Sequence, residues 1–436
     1  MKCVFSTLIL GSMLLTLHPS SLRAQDLAAT DEIFRSDIDL LPGTAQGFAN
    51  AVVMDGDFAM VGASLHFSQE GQVYLLRYEE GPAPNWRFVK TLDRAAEPRN
   101  LRRLGARLAL DGDWLAVASN NVGTLLYQRN AGGLNNWGFS QQVVLEDSAD
   151  RRDRDLDNDV SISGNWMAIG AGRTDWIDLG SNDGNDVGQV LLYQLNGADW
   201  GLSQVLEIPA PDVQRLAGFG ARVSISGDVL VVGLPGYRVA DLGEVGRAYI
   251  YQNGPTGWML RRTLERSENV SVARFGIAVA ATESVVAVGD LQGGGDETPS
   301  VSNDGSILIF ERNLGGVDNW GQAINLLPSQ PEFISSFGQS IGLVGNLLWA
   351  GAQDAGYLFS RSSGLWREVD RNPVPTFPAP SNVREYGFSA ALAVRQGGRQ
   401  ILTVAGDITA EDANDVRTGA AFFYGYDDVL FADSFE

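Results

Sequence analysis

The chain has 436 residues, 44% of them hydrophobic and 19% charged, which suffices for a large core and argues against global disorder. Asp and Glu outnumber Lys and Arg by 53 to 32, giving a net charge of −21. Such a surface repels phosphate backbones, so no nucleic-acid partner is expected. One cysteine, Cys3, and two histidines, His18 and His66, exclude an intrachain disulfide framework and a Cys/His zinc site.

The N-terminus carries Lys2, an uncharged and mostly apolar run from Val4 to Leu17, and then Ser20-Ser21-Leu22-Arg23-Ala24. This pattern predicts a Sec-type signal peptide over residues 1–24, cleaved after Ala24, with a buried N-terminal helix as the alternative. The run is shorter than the roughly 20 residues that span a bilayer, and no later stretch is apolar enough. The expectation is a secreted, periplasmic or cell-surface protein with no transmembrane segment, monomeric, its body spanning residues 25–426.

That body is one repeat written seven times. Phe219-Gly220-Ala221-Arg222-Val223-Ser224-Ile225-Ser226-Gly227-Asp228-Val229-Leu230-Val231-Val232-Gly233 states the pattern, and further copies start at Phe48, Leu104, Leu156, Phe275, Phe337 and Tyr386. The second position is glycine at Gly105, Gly220, Gly276, Gly338 and Gly387, with Ala49 and Asp157 departing. Each copy predicts four strands. The first alternates apolar and small residues and ends in a tight turn such as Gly112-Asp113, Gly164-Asn165 or Gly345-Asn346, where glycine reaches positive φ freely. The second is a continuous apolar run, as in Val285–Val288, which reads as a strand buried on both faces. The third is exemplified by Ala248–Tyr251. The fourth opens with tryptophan: Trp86, Trp137, Trp200, Trp258, Trp320 and Trp366. Tryptophan recurring at one phase among apolar neighbours points to packing between units rather than to a ligand-stacking ladder.

Four short strands per unit, repeated about every 50–60 residues without helical periodicity, predict an all-β fold: a seven-bladed β-propeller of four-stranded antiparallel blades. The seventh copy lacks a tryptophan strand, whereas Phe34–Pro42 aligns without a gap on Trp320–Pro328. Residues 34–41 are therefore expected to form the outer strand of the last blade, beside residues 421–426. The tail 427–436, with Val429-Leu430-Phe431-Ala432-Asp433-Ser434-Phe435-Glu436, falls outside the repeat. It looks like short endings of exported Gram-negative proteins and reads either as an address or as an edge-packing segment.

The Phe-Gly openings and the Val232-Gly233-Leu234-Pro235 segment resemble FG-GAP repeats, as in the integrin α-subunit propeller. The resemblance extends over about residues 34–426. It implies an extracellular recognition propeller, some of whose blades carry a calcium loop between strands one and two. Here a short Gly-Asp turn replaces that loop in most blades and leaves too few oxygens for calcium, so no cofactor is expected. Asp153, Asp155, Asp157 and Asp159 alternate like the start of a calcium loop. However, Asn158 stands where glycine is needed, Gly164 where the closing acid is needed, and arginines interleave. They read as a solvated charged loop, with calcium as the alternative.

Acidic insertions fall between strands two and three: Asp175, Asp178, Asp183 and Asp186 in blade three, Asp296, Glu297 and Asp304 in blade five, and Asp412 and Asp415 in blade seven. Antiparallel strands place these loops on one face with the strand-four-to-one connections, and variable loops on a rigid scaffold are where binding surfaces are built. No Gly-x-Ser-x-Gly elbow or cysteine nucleophile accompanies them. The expected function is a non-catalytic recognition scaffold for a protein or a surface glycan. The alternative is a secreted propeller hydrolase or lyase acting on polysaccharide, because propellers also host such enzymes.

Overall fold

The computed structural model describes residues 31–34, 47–65, 70–80, 86–92, 103–120, 123–144, 158–174, 186–266, 271–291, 305–330, 336–353, 355–373, 387–395, 400–407 and 419–427. Seven antiparallel sheets of four strands each form the blades. Blade one is β2 (Phe48–Asp55), β3 (Phe58–Ala63), β4 (Gln72–Tyr78) and β5 (Trp86–Thr91). Blade two is β6 (Leu108–Asp111), β7 (Trp114–Ser119), β8 (Gly123–Gln128) and β9 (Gly138–Val143). Blade three is β10 (Asn158–Ser163), β11 (Trp166–Ala171), β12 (Gln189–Asn196) and β13 (Asp199–Glu207). Blade four is β14 (Arg222–Ser226), β15 (Val229–Leu234), β18 (Arg247–Gly254) and β19 (Gly257–Leu264), with an extra hairpin of β16 (Arg238–Val239) and β17 (Gly243–Glu244). Blade five is β20 (Ala278–Ala281), β21 (Val285–Asp290), β22 (Ser306–Arg312) and β23 (Trp320–Leu326). Blade six is β24 (Ser340–Val344), β25 (Leu347–Gly351), β26 (Ala355–Ser362) and β27 (Leu365–Pro373). Blade seven is β28 (Ser389–Arg395), β29 (Gln400–Asp407), β30 (Ala420–Asp427) and, from the other end of the chain, β1 (Asp31–Phe34).

The first strands of successive blades contact one another in an unbroken circuit that returns from β28 to β2, so they line the central axis. An N-terminal strand closes the last blade, but not in the expected register. Asp31 lies opposite Phe423 and Phe34 opposite Ala420, the first residue of β30. Trp320, the position on which Phe34 aligns, sits opposite Arg312 at the far end of its partner strand. Pairing thus begins three residues earlier than expected and slides along the sheet, and residues 35–41 lie outside the described residues. In the other blades a turn from strand three sets the register of strand four; a strand arriving from the chain's other end has no such constraint.

Most seams between blades are backbone contacts built on glycine. The motif glycines Gly105, Gly220, Gly276 and Gly338 have φ of 83–93°. Their carbonyl oxygens press on a glycine in the second strand of the preceding blade. A Cβ added at Gly62, Gly170, Gly233 or Gly289 would fall far inside contact distance of Gly105, Gly220, Gly276 or Gly338, respectively. Blade one carries Ala49 at this position, held at φ 62° against Gly406. The tryptophans fill the same seams from outside. Trp137 meets Phe58 of blade one, Trp200 meets Trp114 of blade two, Trp258 meets Trp166 of blade three, and Trp86 stacks at 4.7 Å on Phe423 of blade seven. Packing between blades is their role, as their phase implied.

Near the axis a third device joins the blades. The innermost strand of any sheet has one edge with no strand beside it, and its N–H groups need acceptors. Gly112 N–H donates to Asp55 at 2.8 Å and Gly164 N–H to Asp111 at 2.6 Å, each acceptor belonging to the preceding blade. At the next seam Val223, Ile225 and Gly227 donate to Asp159, Ser161 and Ser163 at 2.8, 3.0 and 3.1 Å. Three alternate side chains of β10 thus replace a missing strand beside β14. Ala281 N–H repeats the contact with Ser224 at 3.0 Å.

Candidate interaction face

The two faces of the ring differ. On one, turns between strands one and two are short, such as residues 112–113, 164–165 and 227–228. On the other, connections between strands two and three range from residues 120–122 in blade two to 172–188 in blade three and 291–305 in blade five. The strand-four-to-one connections share this second face. Asp175, Asp178, Asp183, Asp296, Glu297, Asp304, Asp412 and Asp415 lie outside the described residues, as do His66, Asp153, Asp155 and Asp157.

Two of the acidic residues singled out from sequence are described, and both serve the scaffold. Asp186 takes a left-handed conformation, and its carbonyl accepts the Gly218 N–H at 3.0 Å, tying the blade-three loop to the connection into blade four. Asp159, a candidate calcium ligand, accepts the Val223 amide and lies 3.6 Å from the Arg107 guanidinium. Its oxygens are committed to neighbours on both sides. Among the described residues no cluster of three His, Cys, Asp or Glu could hold a metal ion.

Blade four shows how the face is built. The connection from β13 forms a single 3-10 turn, Ala210–Asp212, which brings Asp212 under the loops. Asp212 is buried, ion-pairs with Arg247 and accepts a 2.7 Å hydrogen bond from the Tyr249 hydroxyl. Burial, the bond to Asp212 and the Asp212 charge all push the Tyr249 hydroxyl well above the usual tyrosine range, so it stays a donor. The Arg247 guanidinium lies 3.9 Å from the Tyr237 ring centre and extends its other nitrogen to Glu265 at 3.0 Å. One buried acid thereby binds the strand-four-to-one connection to the base of the strand-two-to-three hairpin. Blade five repeats the device: Asp290, fully buried at the end of β21, pairs with Arg266 and accepts from Ser306 at 3.2 Å.

Above the clasp, the Gln214 carboxamide accepts the Arg238 N–H at 2.9 Å and donates to the Arg238 carbonyl at 3.1 Å, capping one edge of β16. Glu244 takes both Arg238 and Arg274 at 2.9 Å, and the Arg238 hydrogen bond outweighs burial to hold its carboxyl below the ordinary range. Leu216 and Val272 flank this hairpin, 44% and 43% exposed, both at positive φ of 59° and 57°. A left-handed Val is a costly conformation, retained here because the hydrogen bond from its own N–H to the Leu242 carbonyl fixes the loop. Chemically this region offers rigidly held apolar and guanidinium groups. Sequence reasoning passed over Asp212 and Arg247, which stand thirty-five positions apart with no motif joining them.

Residues 202–251 match the family model described as FG-GAP repeat. No curated protein matches. Among solved structures, a putative 6-phosphogluconolactonase from Bacteroides uniformis is 13% identical, with a TM-score of 0.48 over 77% of this chain and 88% of that one. The computationally designed Ika8 protein is 11% identical, with a TM-score of 0.44 over 84% of this chain and 85% of that one. The matched segment runs from the outer strand of blade three to the third strand of blade four, and its Phe-Gly and Val-Gly positions are the seam contacts that recur around the ring. The chain thus carries an FG-GAP repeat at residues 202–251 within a seven-bladed β-propeller.

Proposed function

We propose that this propeller is an exported, non-catalytic recognition scaffold that binds a protein or a surface glycan through the face carrying the long strand-two-to-three and strand-four-to-one connections. The observation that carries this reading is the contrast between faces. On one, the longest connections are the strand-three-to-four links at residues 129–137 and 313–319, whereas the other varies from residues 120–122 to residues 172–188 and 291–305 over a ring whose seams are mostly built on glycine. The acidic insertions of blades three, five and seven belong to that variable face. The carboxylates of Asp55, Asp111 and Asp159 near the axis accept backbone amides of the next blade, which favours a structural use of these acids over acid–base chemistry. Export is supported by the Lys2–Ala24 pattern, and no helix among the described residues is long and apolar enough to cross a membrane.

The test is binding of the chain 25–436 to its native cell surface and to a polysaccharide panel. A variant with residues 175–185 and 292–304 replaced by short Gly-Asn linkers should keep its melting temperature and lose at least ten-fold in surface affinity. Unchanged affinity, or turnover of any polysaccharide by the parent chain, would overturn this reading.

A further inference from the structure

We propose that the face opposite the variable loops is a lipid-docking face, on which Leu134 of blade two and Val317 of blade five enter the headgroup region of a bilayer. These side chains are 87% and 91% exposed, and no other large hydrophobic among the described residues exceeds 57%. Both sit at the tip of a link from strand three to strand four, which antiparallel pairing places on the same face as the short strand-one-to-two turns. Next in exposure is Leu365, which opens β27 on that face in blade six.

The two links are one device built twice. Arg129-Asn130-Ala131-Gly132-Gly133-Leu134-Asn135-Asn136-Trp137 matches Arg312-Asn313-Leu314-Gly315-Gly316-Val317-Asp318-Asn319-Trp320, with an apolar residue at the same place in each. Gly132 and Gly315 have φ of 79° and 89°, Gly133 and Gly316 of 137° and 133°, and Asn135 and Asp318 both of 55°. The Asn130 side chain accepts the Asn135 N–H at 3.0 Å, and the Asn313 side chain accepts that of Asp318 at 2.8 Å. The Asn136 carboxamide donates to the Ala131 carbonyl at 2.8 Å, and that of Asn319 to the Leu314 carbonyl at 2.7 Å. These bonds fix the loop before a partner arrives, so the cost of ordering the tip is already met. Gly133 and Gly316, just before each tip, have nothing within 4 Å of an added Cβ, so the tips stand clear of the body. Single exposed apolar side chains are ordinary on a protein surface. The same side chain type raised by the same bonds in two blades is a repeated feature.

Two features select a bilayer as the occupant. Blades two and five lie three places apart in a ring of seven, so the tips stand on nearly opposite sides of one face. A planar receiver takes both at once, whereas a protein would need two apolar pockets matched to that separation. Each tip also has a cation beside it. Lys90 donates to the Asn136 side chain at 3.0 Å and Arg262 to that of Asn319 at 2.8 Å, each on a neutral carboxamide. Apolar tips flanked by Lys and Arg suit the boundary where acyl chains meet lipid phosphates. Leu and Val together bury fewer carbons than one myristoyl chain, so the docking is weak and reversible. It directs the variable loops away from the bilayer and stands independently of what those loops bind.

The test adds phosphatidylcholine vesicles, at millimolar lipid, to the chain 25–436, which contains no cysteine. Vesicles without net charge avoid repulsion of an acidic chain. An environment-sensitive fluorophore on Leu134→Cys or Val317→Cys should shift to the blue on vesicles. The same label on Leu216→Cys, 44% exposed on the opposite face, should not. Leu134→Ser with Val317→Ser should lower vesicle partitioning about ten-fold at an unchanged melting temperature, and Leu134→Trp with Val317→Trp should raise it by a similar factor. No shift at either tip, an equal shift at Leu216, or partitioning unaffected by the serine pair would overturn the proposal. So would tip labels shielded by cell-surface protein but not by lipid, which would assign the face to a protein partner.

Discussion

At the level of single residues, the two glycines that mark the repeat owe their identity to one contact. Gly233 lies in an ordinary strand, yet a methyl group there would collide with the backbone of Gly276 across the seam. Gly112 is the opposite case: its φ is 57° but nothing lies within 4 Å of an added Cβ. Gly233→Ala should therefore cost about 3 kcal/mol through forced separation of blades, and Gly112→Ala only about 1 kcal/mol through left-handed strain. Urea unfolding of both variants measures this, and equal losses would contradict the steric account. Blade two carries Ala118 in place of the strand-two glycine and blade three carries Asp157 in place of the motif glycine, so that seam lacks glycine on both sides. Tyr251 gives a second residue-level prediction. Burial alone raises its hydroxyl well above the usual tyrosine range. The unfolded chain releases this proton near pH 10 while the folded chain keeps it, so the contribution is complete below pH 10 and is lost as pH rises. Between pH 9 and pH 11 the wild type should lose about 1.4 kcal/mol more stability than Tyr251→Phe. Parallel pH profiles of the two proteins would show that this hydroxyl does not titrate on unfolding.

At the level of elements, the strands were legible because they repeat, and the links between them were not. Trp258 at a fixed phase, the Gly227-Asp228 turn and the apolar run Val229–Val232 each state their place locally. Ser161 and Ser163 state nothing locally. Their acceptor role appears only when β14, sixty-four positions later, lies beside β10. Asp159 was ambiguous for the same reason, its spacing with Asp153, Asp155 and Asp157 being compatible with a calcium loop until its partners were in place. The β16–β17 hairpin escaped because two-residue strands carry no periodicity. The side-chain ladder itself makes a prediction. Ser161→Ala with Ser163→Ala removes the acceptors of the Ile225 and Gly227 amides, and each lost bond should cost about 1 kcal/mol. Hydrogen exchange at Ile225 and Gly227 should accelerate while β15 and β18 stay protected. Unchanged exchange at both amides would mean that another group satisfies them.

At the level of the whole molecule, the ring turns a set of nearest-neighbour contacts into one cooperative body. In an open array of repeats the terminal units have one neighbour and fray first. Here blade seven meets blade one through Trp86 on Phe423, Ser389 donating to the Ala49 carbonyl at 2.7 Å, and Arg395 on Asp57 at 2.6 Å. Its contacts are of the same kind as those at other seams, yet it alone joins the first and last repeats of the chain. The strand β1 belongs to blade seven and leads directly into blade one, so it is the covalent tie across this seam. Removing residues 25–34 should leave the glycine and tryptophan contacts intact while cutting that tie and baring the edge of Ala420–Phe423. Opening then begins at one place. Amides of β28–β30 and β2–β5 should gain a common, faster sub-global exchange rate, whereas blades three and four keep that of the parent. Exchange accelerated evenly over all seven blades would instead mean that the ring opens at any seam, and that its closure owes nothing to the N-terminal strand.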